Sequence, residues 1–469
     1  MSQSLSSNLP TEVPLTNDVD IFIAGGGPGG IGAAVAAGRK GKKVLLAEHY
    51  GFLGGMATAG EVNPFMPNHH EGDSLDKGIF EEWLARIKEY NPGGNGRIFD
   101  PNAARLAAED LCIEAGVQLL YHHRVVAVSR TGSKIEHVVL HSKSGMTAVK
   151  AKVFIDSTGD GDMAQLAGAE FEMGGFDTPH VQPMTLCFKL KLNIAETGLD
   201  YRDAVDAVAK ERGLIQESFK KAQENGETSN PRENVLTFAT HYKDVVHFNT
   251  TRVIKKSSVN GSELSDAEVE ARKQMRELIT ILRRDVPCFQ KATIHSVAPQ
   301  IGIRESRRIV GHYMLTQEDH ARFATFPDAV ARVTYPIDIH NPNGTGTEIR
   351  FLPKGTWYEI PYRCIVAKGI ENLLMGSRCI SVDHGVHSSV RVMPPVCSIG
   401  QAAGTAAALA VEGDCDCISV DGVALNDDLK SQGRSLVEYD PNREWGDLEP
   451  GNWQTIQRKE RKGGVLLSS

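Results

Sequence analysis

One stretch constrains this chain more than any other: "DVDIFIAGGGPGGIGAAVAAGRKGKKVLLAEHYGFLGGMATAG", residues 18–60. A short apolar run meets a cluster of glycines, an alanine-rich segment follows, and a second apolar run ends at Glu48. Gly25, Gly27 and Gly30 stand at G-x-G-x-x-G spacing between a predicted strand over 20–24 and a predicted helix over 27–39, with 43–48 as the second strand. In that arrangement the first glycine makes the turn, the second lets a pyrophosphate reach the backbone, and the third lets helix and strand pack closely. Free N–H groups at the helix start face the phosphates. Glu48 lies 21 residues after Gly27, where a carboxylate accepts hydrogen bonds from ribose hydroxyls and repels a 2′-phosphate. A glycine turn without a ligand is the bland alternative.

The motif leaves NAD and FAD open, and a second glycine pair bears on the choice. Gly54 and Gly55, in "GFLGGMATAG", follow the acid where a longer ligand continues, and bare backbone there suits phosphate or ribityl. Two distant segments read as flavin-type: "FIDSTGDGDMAQLAG", and "NLLMGSRCISVDHGVHSSVRVMPPVCSIGQAAGTAAALA". In the second, a strand, a glycine turn and a helix N-terminus meet, placing positive potential where negative charge gathers on a reduced ring.

Composition narrows the class. The chain has 469 residues, and its net charge of −8 argues against an electrostatic grip on nucleic acid. The run 401–411 is too short to span a membrane, and 21–37 is glycine-dense with Pro28 at its centre. The first 17 residues show no basic or strongly apolar leader, so a flexible tail and a cytoplasmic location are expected. The eight cysteines are scattered, which suits a reduced compartment, and the lone C-x-C at Cys415 and Cys417 has no second ligand pair, so no metal is expected.

The fold expected is α/β: a Rossmann-like dinucleotide domain with a three-stranded β-meander, over 18–165 and 371–425, interrupted by an inserted α+β substrate or cap domain over 166–370. A C-terminal extension takes 426–469. Helices are predicted over 75–90, 101–115, 201–225 and 264–284, and Leu106 and Leu111 are assigned to one apolar face of the second. Gly132 and Gly145 mark the turns of the meander.

"LAEHYGFLGGMATAGEVNPF", "IGIRESRRIVGHYMLT", "EIPYRCIV" and "GSRCIS…VRVMPPVCSIGQAAGTAAALA" together resemble the FAD-dependent oxidoreductase family of the glutathione-reductase-like flavoproteins, a mostly bacterial family. The resemblance implies FAD as cofactor, with Gly25, Gly27, Gly30, Glu48, Gly54, Gly55 and Met56 along it. It also implies the main chain of Val125 at the adenine, Asp160 or Asp162 near phosphate or ribitol, and Gly376, Arg378, Gly400, Gln401 and Thr405 near the flavin. Glu61 departs from the pattern and places an acid near the expected ring.

No second G-x-G-x-x-G follows a strand, so electrons are expected to come from an organic substrate: hydride from a CH–OH or CH–NH carbon to flavin N5, helped by a base. His384 and His387, with Asp383 behind them, are the candidate bases because imidazole titrates near working pH. Arg391 and Arg378 are candidates for holding an anion or polarising the flavin, and Arg304, Arg307, His180 and Gln182 are further pocket candidates. Each has an ordinary structural reading as a hydrogen-bonded or ion-paired residue. The partners expected are a small-molecule substrate and an electron acceptor, with oxygen, a quinone, a protein and a homo-oligomer left open. An NAD-dependent Rossmann enzyme and a non-catalytic FAD-binding protein are the competing readings.

Overall fold

The structure is a computed structural model that describes residues 12–94, 96–175, 178–440 and 455–457. β1 (Leu15–Ala24) leads into α1 (Pro28–Arg39) and β2 (Val44–Glu48). β1 and β2 pair in parallel, from Ile21 opposite Val44 to Ala24 opposite Ala47. Ile21, Phe22, Ile23 and every residue of β2 are buried, which explains why these strands read as continuous apolar runs rather than alternating ones. β1 starts earlier than its apolar core because the main chain around Leu15 and Asn17 pairs with the strand of Ala148 and Val149, a bonding that ignores side-chain polarity. Residues 15–17 of the expected tail are therefore strand, and 1–11 lie outside the described residues.

α2 (Ile79–Tyr90) begins four residues after the predicted start, behind Gly78 at φ +109°. Its Ile79, Trp83 and Ile87 face the core, as their spacing requires. α3 (Pro101–Glu114) buries Ala103, Ala104, Ala107, Ala108, Leu111 and Cys112. Leu106 is 49% exposed, against expectation. Five positions place it about 140° around the helix from Leu111.

β3 (Gln118–Tyr121), β4 (Arg124–Thr131), β5 (Lys134–Ser142) and β6 (Gly145–Asp156) complete the first part of the sheet, in the order β3-β2-β1-β6-β5-β4. Gly132 and Gly145 turn the meander at φ +60° and +93°.

The insert holds a four-stranded antiparallel sheet of β7 (Phe188–Lys191), β8 (Thr237–Ala239), β9 (Val245–Phe248) and β10 (Thr293–Val297), ordered β8-β9-β7-β10. Two long helices pack on it, α4 (Arg212–Glu224) and α5 (Gly261–Asp285). The predicted helix over 201–225 breaks at Glu211, leaving a short helix Ala204–Lys210 before α4. The insert has its own core around Phe188, Phe248, Leu278 and Phe289. That core does not reach 370: Ile309, Leu315, Val330, Tyr358 and Ile370 join the main cluster with β1 and β6. The expected insert thus divides, its later part packing as a layer of the first unit.

That later part contains β11 (Ile337–His340). The chain then returns as β12 (Leu373–Met375), which pairs in parallel with Phe154–Asp156 of β6, followed by α6 (His384–Val390) and α7 (Met393–Gly413). α7 meets α1 backbone to backbone. A side chain at Gly400 would lie 1.9 Å from the Gly29 oxygen, and one at Gly404 2.1 Å from the Ala33 oxygen. A last described helix, α8 (Gly422–Ser431), crosses the expected 425/426 boundary and holds the insert side through Asn426 Nδ2 donating to the Ala329 oxygen at 2.6 Å. Residues 441–454 and 458–469 of the expected extension lie outside the described residues.

Candidate active site

The three motif glycines serve three separate needs. Gly25 has φ +95°, and a Cβ there would sit 2.6 Å from the Ser157 oxygen. Gly30 is held by proximity, since a Cβ would lie 1.9 Å from the Gly25 oxygen. Gly27 has an ordinary φ of −70°, and the nearest atom to an added Cβ is Gly55 Cα at 3.8 Å. Nothing in the protein forbids a side chain at Gly27. What it keeps clear is the space in front of α1, whose N-terminus has no side-chain cap.

The second glycine turn rests on the first. Gly54 N–H donates to the Gly26 oxygen at 2.8 Å, and Gly55 at φ +49° brings its Cα against Gly27. Glu48 joins them: Oε2 accepts from Gly26 N–H at 2.7 Å and Oε1 from Tyr50 N–H at 2.9 Å. Together they wall a cavity of about 580 Å³. Gly25, Gly27, Glu48, Gly55, Met56, Val125, Asp160, Asp162 and Arg378 line it. Asp160 is held by Arg378 Nη2 at 2.6 Å and Asp162 by Arg307 Nη1 at 2.8 Å. Ser258, Glu268, Pro299 and Gln300 of the insert close it from the far side, and the Tyr50 hydroxyl meets Gln300.

A second cavity of about 1010 Å³ opens beside it, between the sheet of the insert and β11. The two share Met56, Ile303, Arg378, Arg391 and Met393. Arg232, Arg304, Tyr335, Asp338 and His340 line the second alone. Arg304 Nη1 donates to the Pro183 oxygen and Thr185 Oγ1, and Nη2 to Asn249 Oδ1 at 3.4 Å. Arg391 Nη2 donates to the Asp338 carbonyl at 3.3 Å, while its Nε is buried without a partner. On β11, Asp338 and His340 share one face. His340 Nδ1 meets Thr347 Oγ1 at 3.1 Å, Nε2 lies 3.8 Å from Asp338 Oδ2, and the Tyr335 hydroxyl donates to that carboxylate at 3.2 Å. Burial, reinforced by Arg304, Arg391, Arg232 and Arg252, pushes the His340 pKa well below its usual 6.5, so the ring is neutral.

Several expected residues stand elsewhere. Neither His384 nor His387 lines either of these two cavities. Asp383 caps α6 by accepting from Val386 N–H, and all seven residues of that helix are buried. His384 Nδ1 meets Glu305 Oε1 at 2.8 Å, and its Nε2 faces Gly175. Burial, with Arg308, Arg391 and Arg378 nearby, holds His387 neutral. Gly400 serves the α1 contact, Gln401 Oε1 accepts from Ile79 N–H, and Thr405 Oγ1 bonds its own helix, so α7 offers the cavity only Met393 and Val396 at its start. Gly376 and Gly54 shape turns behind the cavity wall. Glu61 is buried and paired with Lys189, which removes the unpaired acid expected near the ring. Gln182 supports β11 by accepting from His340 N–H, and Arg307 turns to Asp162. His340 and Asp338 lie in "YPIDIHNPNGTG", which reads as a proline-bounded loop; the signal was the D-x-H alternation of a short strand.

The residues fit a dinucleotide flavin: an uncapped helix start, glycine space kept clear for phosphate, an acid at the end of β2, and a cleft continuing to buried guanidinium nitrogens without partners on Arg378 and Arg391. Among the described residues no helix is long and apolar enough to cross a membrane, and no group of three His, Cys, Asp or Glu stands ready for a metal ion.

The chain is similar to several known proteins. Thiamine thiazole synthase of Methanococcus vannielii is 31% identical over 153 residues, which is 30% of this chain and 56% of that protein. The chain thus spans about half the length of that relative. Among solved structures, a geranylgeranyl bacteriochlorophyll reductase-like protein from Thermoplasma acidophilum aligns over 89% of this chain and 84% of its own, at 13% identity and a TM-score of 0.43. A flavin-dependent brominase aligns over 88% and 83%, at 11% identity and a TM-score of 0.42. The family described as FAD dependent oxidoreductase matches residues 20–429, so this chain belongs to the FAD-dependent oxidoreductase family and FAD is its cofactor.

Proposed function

We propose that the protein oxidises a small polar substrate at a CH–OH or CH–NH carbon, FAD lying in the first cavity and the substrate in the second. The observation that carries this is the shared wall of Met56, Ile303, Arg378, Arg391 and Met393, where the two cavities meet. Bound FAD supplies a two-electron acceptor at its N5.

The protein's own work is positioning and proton transfer. Glu48 takes the ribose hydroxyls, and the start of α1 takes the pyrophosphate. Arg391, at the junction, offers positive charge toward the ring and the substrate. His340 replaces His384 as base. In the tautomer that has its hydrogen on Nδ1, toward Thr347 Oγ1, Nε2 carries the lone pair and would take the substrate's O–H or N–H proton as hydride leaves the carbon. Asp338 then faces the imidazolium, steadied by Tyr335. Met56 and Met393 give the junction apolar lining. An electron acceptor such as oxygen, a quinone or a protein would complete the cycle.

The test is an anaerobic panel of hydroxy and amino compounds added to FAD-loaded protein. Bleaching of the flavin absorbance is the expected result with at least one class. A flavin that stays oxidised against the whole panel overturns the reading.

A further inference from the structure

We propose that the second cavity binds a carboxylate on the side-on fork of Arg304, and that the compound oxidised there is a small carboxylic acid whose CH–OH or CH–NH carbon points to Arg391. This rests on the reaction assigned above.

The second cavity is rich in arginine. Arg304, Arg391 and Arg232 line one cavity, and Arg252 lies close behind. Arg252 is paired with Glu233 at 3.2 Å, and Arg378 at the junction with Asp160. Among the described residues Arg304 and Arg391 have no carboxylate within ion-pair distance. Arg304 is held by neutral oxygens only, on Pro183, Thr185 and Asn249. Burial and the neighbouring Arg391, Arg232 and Arg252 all disfavour its charged form. A guanidinium keeps its proton even so. Such a cluster is built at a cost that only a counter-ion offsets.

Geometry then selects the anion. Both Nη1 hydrogens of Arg304 are committed to Pro183 and Thr185, and one Nη2 hydrogen to Asn249. Among the described residues Nε–H and one Nη2 hydrogen are left without a protein acceptor. In a guanidinium, Nε–H and an Nη2–H form the side-on edge that pairs with the two oxygens of a carboxylate. The three acids of the same cavity have partners of their own: Glu217 is taken by Lys221, Glu233 by Arg252, and Asp338 accepts from Tyr335. The same cavity also has apolar lining from Met56, Val62, Pro64 and Met66, which suits a short carbon skeleton.

The experiment titrates FAD-loaded protein with oxalate, acetate and inorganic phosphate in turn, following the flavin absorbance and the melting temperature. The expected result is a saturable spectral change with oxalate or acetate. In Arg304→Ala the oxalate Kd rises about 10- to 100-fold, the worth of a charge-assisted pair, with FAD content unchanged. Arg304→Lys keeps a cation without the fork and falls between, and it decides the matter if Arg304→Ala does not fold. Equal oxalate affinity in wild type and variant overturns the site, as does phosphate binding more tightly than both carboxylates. Carboxylates that bind through Arg304 while no carboxylic acid in the anaerobic panel reduces the flavin support the site and overturn the reaction.

Discussion

The two cavities are made of different materials. The first is walled by main chain: Gly25, Gly27, Gly55 and the start of α1 present amides and empty space. The second is walled by side chains, with Arg232, Arg304, His340 and Arg391 arriving from four separate stretches of chain. Backbone that must touch a ligand forces glycine at a fixed offset from a strand, and that trace is local in sequence. A side-chain pocket leaves no such trace, because each member is an ordinary residue where it stands. On the proposed reading, the main-chain cavity takes the dinucleotide and the side-chain cavity takes the substrate.

The sharpest way to break that contrast is at His340. His340→Ala is expected to slow flavin reduction by substrate about 10²- to 10⁴-fold while the FAD spectrum stays intact. Because burial and the arginines lower its pKa, the wild-type ring stays neutral below pH 6.5, so the acid limb of kcat/KM should lie on the acid side of that value. Stopped-flow reduction across pH measures both. A wild-type rate in the variant would return the base to an unknown position.

Gly27→Val comes next. Its φ suits valine, so the circular dichroism spectrum should be retained, while FAD affinity falls about 100-fold or more through the blocked phosphate approach. If the fold is lost together with the cofactor, Gly27 is structural and the division of labour among the three glycines is wrong. Glu48→Ala removes the ribose acceptor and frees the Gly26 and Tyr50 amides, and a loss of about tenfold in FAD affinity is expected by fluorescence titration.

The smallest effect on the cofactor belongs to Gln401. Gln401→Ala should leave FAD affinity within about twofold, yet cost about 1–3 kcal/mol in urea unfolding, because the buried Ile79 amide loses its acceptor. A yellow-to-colourless change in this variant would restore α7 to the flavin site.

Legibility in the sequence follows the same divide. Gly25, Gly27, Glu48 and Gly55 could be read at once, as could β1, α1 and β2, since spacing and burial pattern agree there. The meander showed in its turn glycines. Gly400 and Gln401 misled because a small-residue helix has two causes, a nearby ligand and a nearby helix, and the sequence does not separate them. His384 and His387 misled by proximity: they precede Arg391 in the chain, but on the buried helix capped by Asp383 His384 meets Glu305 and His387 is fully buried. The insert's extent was overestimated because strands such as Ala329–Val333 join the main core without resembling it in sequence.

The contact of α1 with α7 has a consequence on the ribosome. The first glycine turn emerges early, yet β12 and α7, which finish its sheet and cover its helix, come more than 200 residues after β6. At ordinary synthesis rates that is a delay of roughly 10–40 s. Throughout it the edge of β6 at Phe154 and Ile155 has no partner strand, and the glycine face of α1 has no partner helix. The nascent half-site is therefore an unfinished surface, with an unpaired strand edge, for longer than most domains take to fold.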